Sequence, residues 1–286
     1  ATETYDFALP GSLTVEDLQG TPVRIDSLAK EDKLILRIRG SFCEDCVLAE
    51  IKQINSLKDC SHIAIIATYD NLRMLKIAVE KYGIKVHALG FDIRERIQTE
   101  SAIEALPAHF RAIDVLINNA GLASGLEPID EGDPLDWDKM IDTNVKGLLY
   151  ITRIVSRMMI ERGQGGLIVN IGSVAGSQTY ADGAVYCASK HAVHALSEGM
   201  RIDLLKHGIK VSEVRPGMVE TEFSVVRFHG DRQRADKVYE GVKPLSAEDI
   251  ADVIGWIVSL PPHVNVNDIL VMPTQQADAH YTDRKP

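Results

Sequence analysis

A doubly wound α/β domain with a parallel sheet of about seven strands is what this sequence predicts, and two observations predict it. Short apolar runs alternate with longer amphipathic stretches from residue 34 onward. Their lengths suit successive βαβ units, in which helices cover both faces of parallel strands.

The expected strands, in order, are 34–38, 63–66, 86–91, 114–117, 167–171, 209–214 and 269–272. Between them lie the expected helices. The first spans 47–57, with Val47, Leu48, Ile51, Ile54 and Leu57 on one face, and the second spans 72–79 and is ended by Gly83. A third carries Ile103, Leu106 and Phe110, and Pro107 should kink or shorten it. Longer helices are expected at 145–160 and 184–205, and a last one at 250–260. Leu148, Leu149, Ile151 and Ile154 leave the first of the long helices apolar on more than one side, which fits burial.

Residues 1–33 fall outside that rhythm. Two short strands, 12–15 and 22–25, surround Gly20 and read as an N-terminal extension. The main domain is then expected over 34–280, with a tail at 281–286. The polar, weakly periodic stretch 225–244 reads equally as a lid or as a solvated connection.

Composition narrows the class of function. The chain has 286 residues, 45% hydrophobic and 25% charged, with a formal net charge of -10. That balance argues against broad binding to nucleic acid or anionic membranes, and leaves room for a small anionic ligand in a local positive pocket. No apolar run approaches the roughly 20 residues of a membrane helix. Residues 1–20 show no charged segment leading into an apolar one, as a signal peptide would. Cys43, Cys46, Cys60 and Cys187 are too few for a disulfide framework, so a reducing, cytoplasmic setting is expected.

The chemistry concentrates in one segment. Tyr186 and Lys190 are four apart on an expected helix and can face one cleft. A free phenol titrates near ~10, and a nearby ammonium favours its phenolate, so the pair is a candidate general acid/base. Ser173 follows a strand, where loop residues face the crevice at the carboxyl end of a parallel sheet, and its hydroxyl can hold a substrate oxygen. Asn118-Asn119-Ala120-Gly121 and Pro216-Gly217 each follow a strand too, and Asn144 precedes a long helix.

Taken together, residues from about 72 to 280 resemble the short-chain dehydrogenase/reductase family, a Rossmann-like fold, and within it the NADP-dependent 3-hydroxy acid (serine-type) dehydrogenases. The supporting stretches are Phe91-Asp92-Ile93-Arg94, Asn118 to Ala123, Asp142-Thr143-Asn144, Pro216 to Phe223 and Val226-Arg227-Phe228. The resemblance implies that Tyr186 donates or accepts the proton, that Lys190 lowers its pKa and binds the nicotinamide ribose, and that Ser173 orients the substrate oxygen. It implies a water relay anchored by Asn144. Asp92 and Ile93 would border the adenine; Asn119, Ala120 and Gly121 would line the cofactor cleft; Pro216, Gly217, Val219 and Thr221 would pass the carboxamide. The cofactor implied is NADP, with NAD open. The substrate is a small hydroxy acid or carbonyl compound, and the assembly a homo-oligomer, dimer or tetramer.

The resemblance breaks at its beginning. The family's first strand runs into spaced glycines that let the backbone approach a pyrophosphate at a helix N-terminus. Here the chain reads Gly40-Ser41-Phe42-Cys43-Glu44-Asp45-Cys46, with no further glycine before Gly83. Asp70 favours an unphosphorylated ribose or merely caps a helix, whereas Arg73 would meet a 2′-phosphate. Residues 1–70 resemble a thioredoxin-like fragment, whose strand, Cys-x-x-Cys and helix would make Cys43 and Cys46 a redox pair. No metal site is expected: a zinc site wants four ligands, and His62 has no matching pattern. Two further functions therefore stay open, a chimeric or degenerate dehydrogenase fold that cannot hold a dinucleotide and a thiol–disulfide oxidoreductase.

Overall fold

Val115-Leu116-Ile117-Asn118 is buried along its whole length, as a strand covered by helices on both faces must be. It sits within a parallel sheet. The computed structural model describes residues 91–106 and 110–285 in full, and ahead of them the backbone of five strands. Of these, β1 (Thr14–Glu16) and β2 (Pro22–Arg24) form an antiparallel pair by themselves. The other three, β3 (Lys33–Ile38), β4 (Ile63–Thr68) and β5 (Val86–Phe91), join the main sheet. They are followed by β6 (Val115–Asn118), β7 (Gly166–Ile171), β8 (Ile209–Pro216) and β9 (Asp268–Val271). The expected helices at 47–57 and 72–79, the Cys43–Cys46 segment, Asp70 and Arg73 lie outside the described residues.

The sheet order is β5-β3-β4-β6-β7-β8-β9, with every pairing parallel. A doubly wound sheet usually puts the first of its strands beside the fourth. In this chain the second, β4, has that place, with Ile66 opposite Asn118 of β6. The first, β3, lies one position farther out, between β4 and β5. Relative to that order β3 and β4 are exchanged, and it is β4 that neighbours β6.

Local chemistry sets the helices. α1 (Arg96–Glu104) stops short of Pro107, as expected. α2 (Pro134–Ile141) opens with the Asp133 carboxylate accepting from the Leu135 N–H at 2.9 Å, while Pro134, lacking an N–H, occupies a position that needs none. Instead of ending, α2 widens into a π-helical turn, Asp142–Gly147, and continues as α3 (Leu148–Arg162). Gly163, at φ 70°, closes α3 in the left-handed region that a glycine enters without strain. α4 (Ala184–Leu204) is the longest helix among the described residues. The stretch expected as a lid or connection contains two short helices, α5 (Phe223–Arg227) and α6 (Arg232–Lys237). Ser246 and Asp249 form a reciprocal capping box at the start of α7 (Ala247–Ser259). No helix among the described residues is long and apolar enough to cross a membrane.

The main core lies between one face of the sheet and α1, α3 and α4. Ile103, Leu116, Ile151, Val155, Ile168 and Val211 meet there, each fully or almost fully buried. Ile151→Ala should destabilise the chain by about 2–5 kcal/mol, because the cavity would be lined by strands that cannot collapse into it. Chemical denaturation with an unchanged m-value checks this.

Polar groups cross the core in one place. Asn118 Nδ2 donates to Thr152 Oγ1 of α3 at 2.9 Å and to Asn170 Oδ1 of β7 at 2.8 Å. Asn170 Nδ2 in turn donates to Ser197 Oγ of α4 at 2.9 Å. Asn118 and Asn170 are register partners across β6 and β7.

Candidate active site

β7 ends at Ile171, and the chain turns at Gly172 to place Ser173 at the mouth of the crevice. Ser173 Oγ accepts from the Ala175 N–H at 3.1 Å, fixing the short 3-10 turn that follows. α4 then delivers Tyr186 and Lys190, one turn apart and both buried. The Tyr186 phenol is hydrogen-bonded to Ser173, and its ring meets Phe223 edge-on at 5.7 Å. Lys190 Nζ donates to the Ile171 carbonyl at 2.9 Å and lies 6.0 Å from the Tyr186 ring centroid.

Burial governs the protonation of both groups. Loss of solvent raises the Tyr186 pKa well above its ordinary value; Tyr180 and Cys187 add to the rise, while the Ser173 hydrogen bond and the Arg227 guanidinium oppose it. Burial likewise lowers Lys190 to about 8, and attraction to Glu213 resists the fall. Lys190 is turned toward the Ile171 carbonyl, and Arg227, 5.7 Å from the Tyr186 ring centroid, is a second cation that favours the phenolate.

Asn144 lies inside the π-turn and is buried. Its amide grips Leu122 at both backbone atoms, accepting from the N–H and donating to the carbonyl, each at 2.8 Å. Nδ2 also donates to Ser189 Oγ at 3.0 Å, and that hydroxyl donates to the Tyr186 carbonyl at 2.7 Å. The loop after β6 is thereby tied to the helix that carries Tyr186 and Lys190. Gly121 faces this junction: a Cβ there would lie 3.2 Å from Lys190 Nζ and 3.4 Å from Asn144 Oδ1. Asn119, Ala120 and Gly121 are half-buried along the same edge.

A cleft of about 410 Å³ opens over these groups, lined among others by Ser173, Tyr180, Tyr186, Met218, Phe223 and Arg227. Arg227 is held by two bonds. Its Nε donates to the Gly125 carbonyl at 3.2 Å and its Nη1 to the Tyr180 hydroxyl at 3.0 Å. Nη2 is buried and has no hydrogen-bond partner in the protein. A guanidinium N–H left so is costly unless a ligand oxygen meets it.

The remaining expected residues are spread along the crevice. Pro216 ends β8, and the Gly217 N–H donates to the Val271 carbonyl at 2.8 Å. Any side chain at Gly217 would collide with Gln276, whose Oε1 accepts from the Met218 N–H at 2.8 Å. Val219 bridges Leu245, and Thr221 Oγ1 accepts from the Phe223 N–H at 3.3 Å. Asp92 is paired with Arg94 at 2.6 Å, and the Ile93 side chain is buried toward Gly147, so only the Ile93 backbone is left to border a ligand. Sequence reasoning missed Tyr180, Gln276 and the buried Glu213 with half-buried His194 and Asp268. Tyr180 had a signal, six residues before Tyr186 in a glycine-containing turn. The other residues had none, being far apart in the chain and of types common on surfaces.

Fold and site define the class. The profile of the family described as short chain dehydrogenase matches residues 55–231, and the chain belongs to that family of oxidoreductases. It is 45% identical over 216 residues to an NADP-dependent 3-hydroxy acid dehydrogenase of Salmonella typhi, covering 75% of this chain and 87% of that protein. Over 217 residues it is 41% identical to a serine 3-dehydrogenase of Agrobacterium fabrum, covering 76% and 86%. Among solved structures, the closed form of a serine dehydrogenase complexed with NADP+ superposes with a TM-score of 0.76 at 37% identity, covering 88% of this chain and 100% of that one.

Proposed function

We propose that this oxidoreductase interconverts small 3-hydroxy acids and their carbonyl counterparts with NADP(H), using Tyr186 as general acid/base. One observation carries the reading: the Ser173 and Tyr186 hydroxyls and the unpartnered Nη2 of Arg227 border a single cleft. A hydroxyl pair and a guanidinium on one cleft suit a molecule with a reacting oxygen and a nearby carboxylate.

The residues present fit the nicotinamide half of the cofactor. The bare Cα of Gly121 beside Lys190 and Asn144 leaves the space a ribose edge needs, and Pro216, Gly217, Val219 and Thr221 supply the opposite wall. Asn119 and Ala120 continue the first wall, and the backbone at Asp92 and Ile93 would border the adenine. Bound NADP(H) supplies or accepts the hydride. For reduction, Ser173 holds the carbonyl oxygen and Tyr186 gives it a proton; for oxidation, Tyr186 takes the hydroxyl proton back. Lys190 holds the ribose, and Asn144 anchors a water that reconnects Lys190 to solvent. The main domain is read as 34–280 with seven strands, and 1–33 and 281–286 as additions to it. Exposed Leu149, Trp256 and Leu270 suit a homo-oligomer, which sedimentation would reveal.

Nicotinamide fluorescence on titration with NADPH tests the cofactor reading. Absence of saturable binding at physiological salt overturns it and leaves the degenerate fold standing. The pH dependence follows from Tyr186, whose pKa is raised, so that it is protonated at neutral pH. Oxidation needs the deprotonated form and should accelerate with rising pH; reduction uses the protonated form and should be nearly level through neutral pH. Initial rates in both directions across that range check the sign.

A further inference from the structure

We propose that Glu213 is a positioning residue for Lys190: its buried carboxylate, clamped by His194 on one side and pressed against Gly172 on the other, is the fixed counter-charge that keeps the Lys190 ammonium charged in the cleft. The proposal rests on reading Lys190 as part of the active site, but the coupling between the two charges stands apart from any turnover.

Glu213 points inward from β8 and is 1% exposed. A buried carboxylate without compensation is costly. One oxygen is compensated: Oε2 pairs with His194 Nδ1 at 2.6 Å. The other, Oε1, has no hydrogen-bond partner in the protein. It lies against Gly172, where any Cβ would collide with it. Gly172 directly follows Ile171, whose carbonyl receives Lys190 Nζ at 2.9 Å. Carboxylate and ammonium therefore flank the same turn of chain after β7, and the glycine is what lets the carboxylate approach.

The charges around the pair form a closed set among the described residues. His194 faces Glu213 from α4, Arg215 from β8 itself and Asp268 from β9, and Lys190, also of α4, meets the far side of the Ile171–Gly172 turn. Arg215 Nε pairs with Asp268 at 2.8 Å. Burial raises the Glu213 pKa and Asp268 adds to the rise, while His194 and Arg215 lower it. At Lys190, attraction to Glu213 is the one resolved influence that opposes burial; Tyr186 and the neutral amide of Asn144 are the other polar groups near its amine. The same three acidic and imidazole groups, within 4.8 Å of one another, could be taken for a metal site. Arg215 on Asp268 and His194 on Glu213 Oε2 instead engage three of their oxygens in protein hydrogen bonds.

The test is an NMR titration of the full chain with lysine side chains labelled at Cε, the Lys190 signal being assigned by its loss in Lys190→Met. The wild-type midpoint is expected near about 8. Glu213→Gln should lower it by about one unit, since an opposite charge is removed. Glu213→Asp, which keeps the charge, should stay closer to wild type. A folded Glu213→Gln whose Lys190 midpoint does not move overturns the proposal. Should that variant not fold, the reciprocal measurement decides. With carboxyl-labelled glutamate, the Glu213 midpoint should rise in Lys190→Met, because coupling between two sites is mutual. A Glu213 midpoint unaffected by Lys190→Met overturns the proposal as well. Neither measurement uses cofactor or substrate, so failure of the dehydrogenase reading and failure of this one are told apart.

Discussion

Tyr186→Phe should lower turnover by about 10²–10⁴-fold, the range ascribed to a general acid/base. The substitution removes one oxygen and little else. The ring that packs edge-on against Phe223 at 5.7 Å remains, as does its contact with Arg227. Ser173 loses a hydrogen-bond partner but keeps the Ala175 N–H, so the turn after β7 should hold its shape. Affinity for NADPH should therefore be close to wild type, and the thermal midpoint little changed. Full activity in the variant would refute Tyr186 as the proton donor. A loss of both turnover and cofactor binding would point to a collapsed cleft instead.

Arg227→Met should act selectively, on substrates that carry a carboxylate. Truncating one partner of a buried charge pair costs about 2–5 kcal/mol, which corresponds to a loss in kcat/KM of roughly 30-fold or more. The carboxamide analogue of the same substrate should lose far less, because the unpartnered Nη2 has no anion to meet there. Comparing the two substrates is essential, since Arg227 also favours the Tyr186 phenolate. That effect is common to both and cancels in the ratio. An equal loss on both would assign Arg227 to tuning the phenol and remove it from substrate recognition. Arg227→Lys is not a mild substitute: an ammonium cannot bond Gly125, Tyr180 and a ligand oxygen in three fixed directions.

The sequence revealed most of this site because its chemistry depends on short spacings. Tyr186 and Lys190 share a helix face, and Ser173 follows a strand announced by the run Leu167-Ile168-Val169. The same holds for the sheet: each strand from β6 to β9 falls within a residue or two of its expected limits. What stayed hidden depends on pairing across the fold. Periodicity read 145–160 as an ordinary helix, and nothing in Asp142-Thr143-Asn144-Val145-Lys146-Gly147 marks the π-turn that carries Asn144. Glu213 shares its face of β8 with the buried Ile209 and Val211, so alternation places a carboxylate among core positions; only the three-dimensional meeting with His194 and Gly172 shows what receives it. The exchange of β3 and β4 was likewise illegible, since parallel strands joined by right-handed crossovers can be ordered either way without a change in local pattern.

Parallel strands so uniformly apolar face a hazard of their own. When both faces of a strand are hydrophobic, a slide of one or two residues exchanges one greasy side chain for another and costs little. Between β6 and β7 the asparagine pair removes that tolerance. Slipping β7 by one residue would point Asn170 at the opposite helix layer, breaking its bonds to Asn118 and Ser197 and leaving its own amide to find partners in a dry interior. With two buried hydrogen bonds lost and each unmet polar group costing roughly 1–3 kcal/mol, the misaligned sheet would be uncompetitive. The ladder thus acts as a vernier for the folding chain. It admits one alignment of the two strands whose ends present the loop at Gly121 and the turn at Ser173, and so sets the two lips of the cleft level with each other before any ligand arrives.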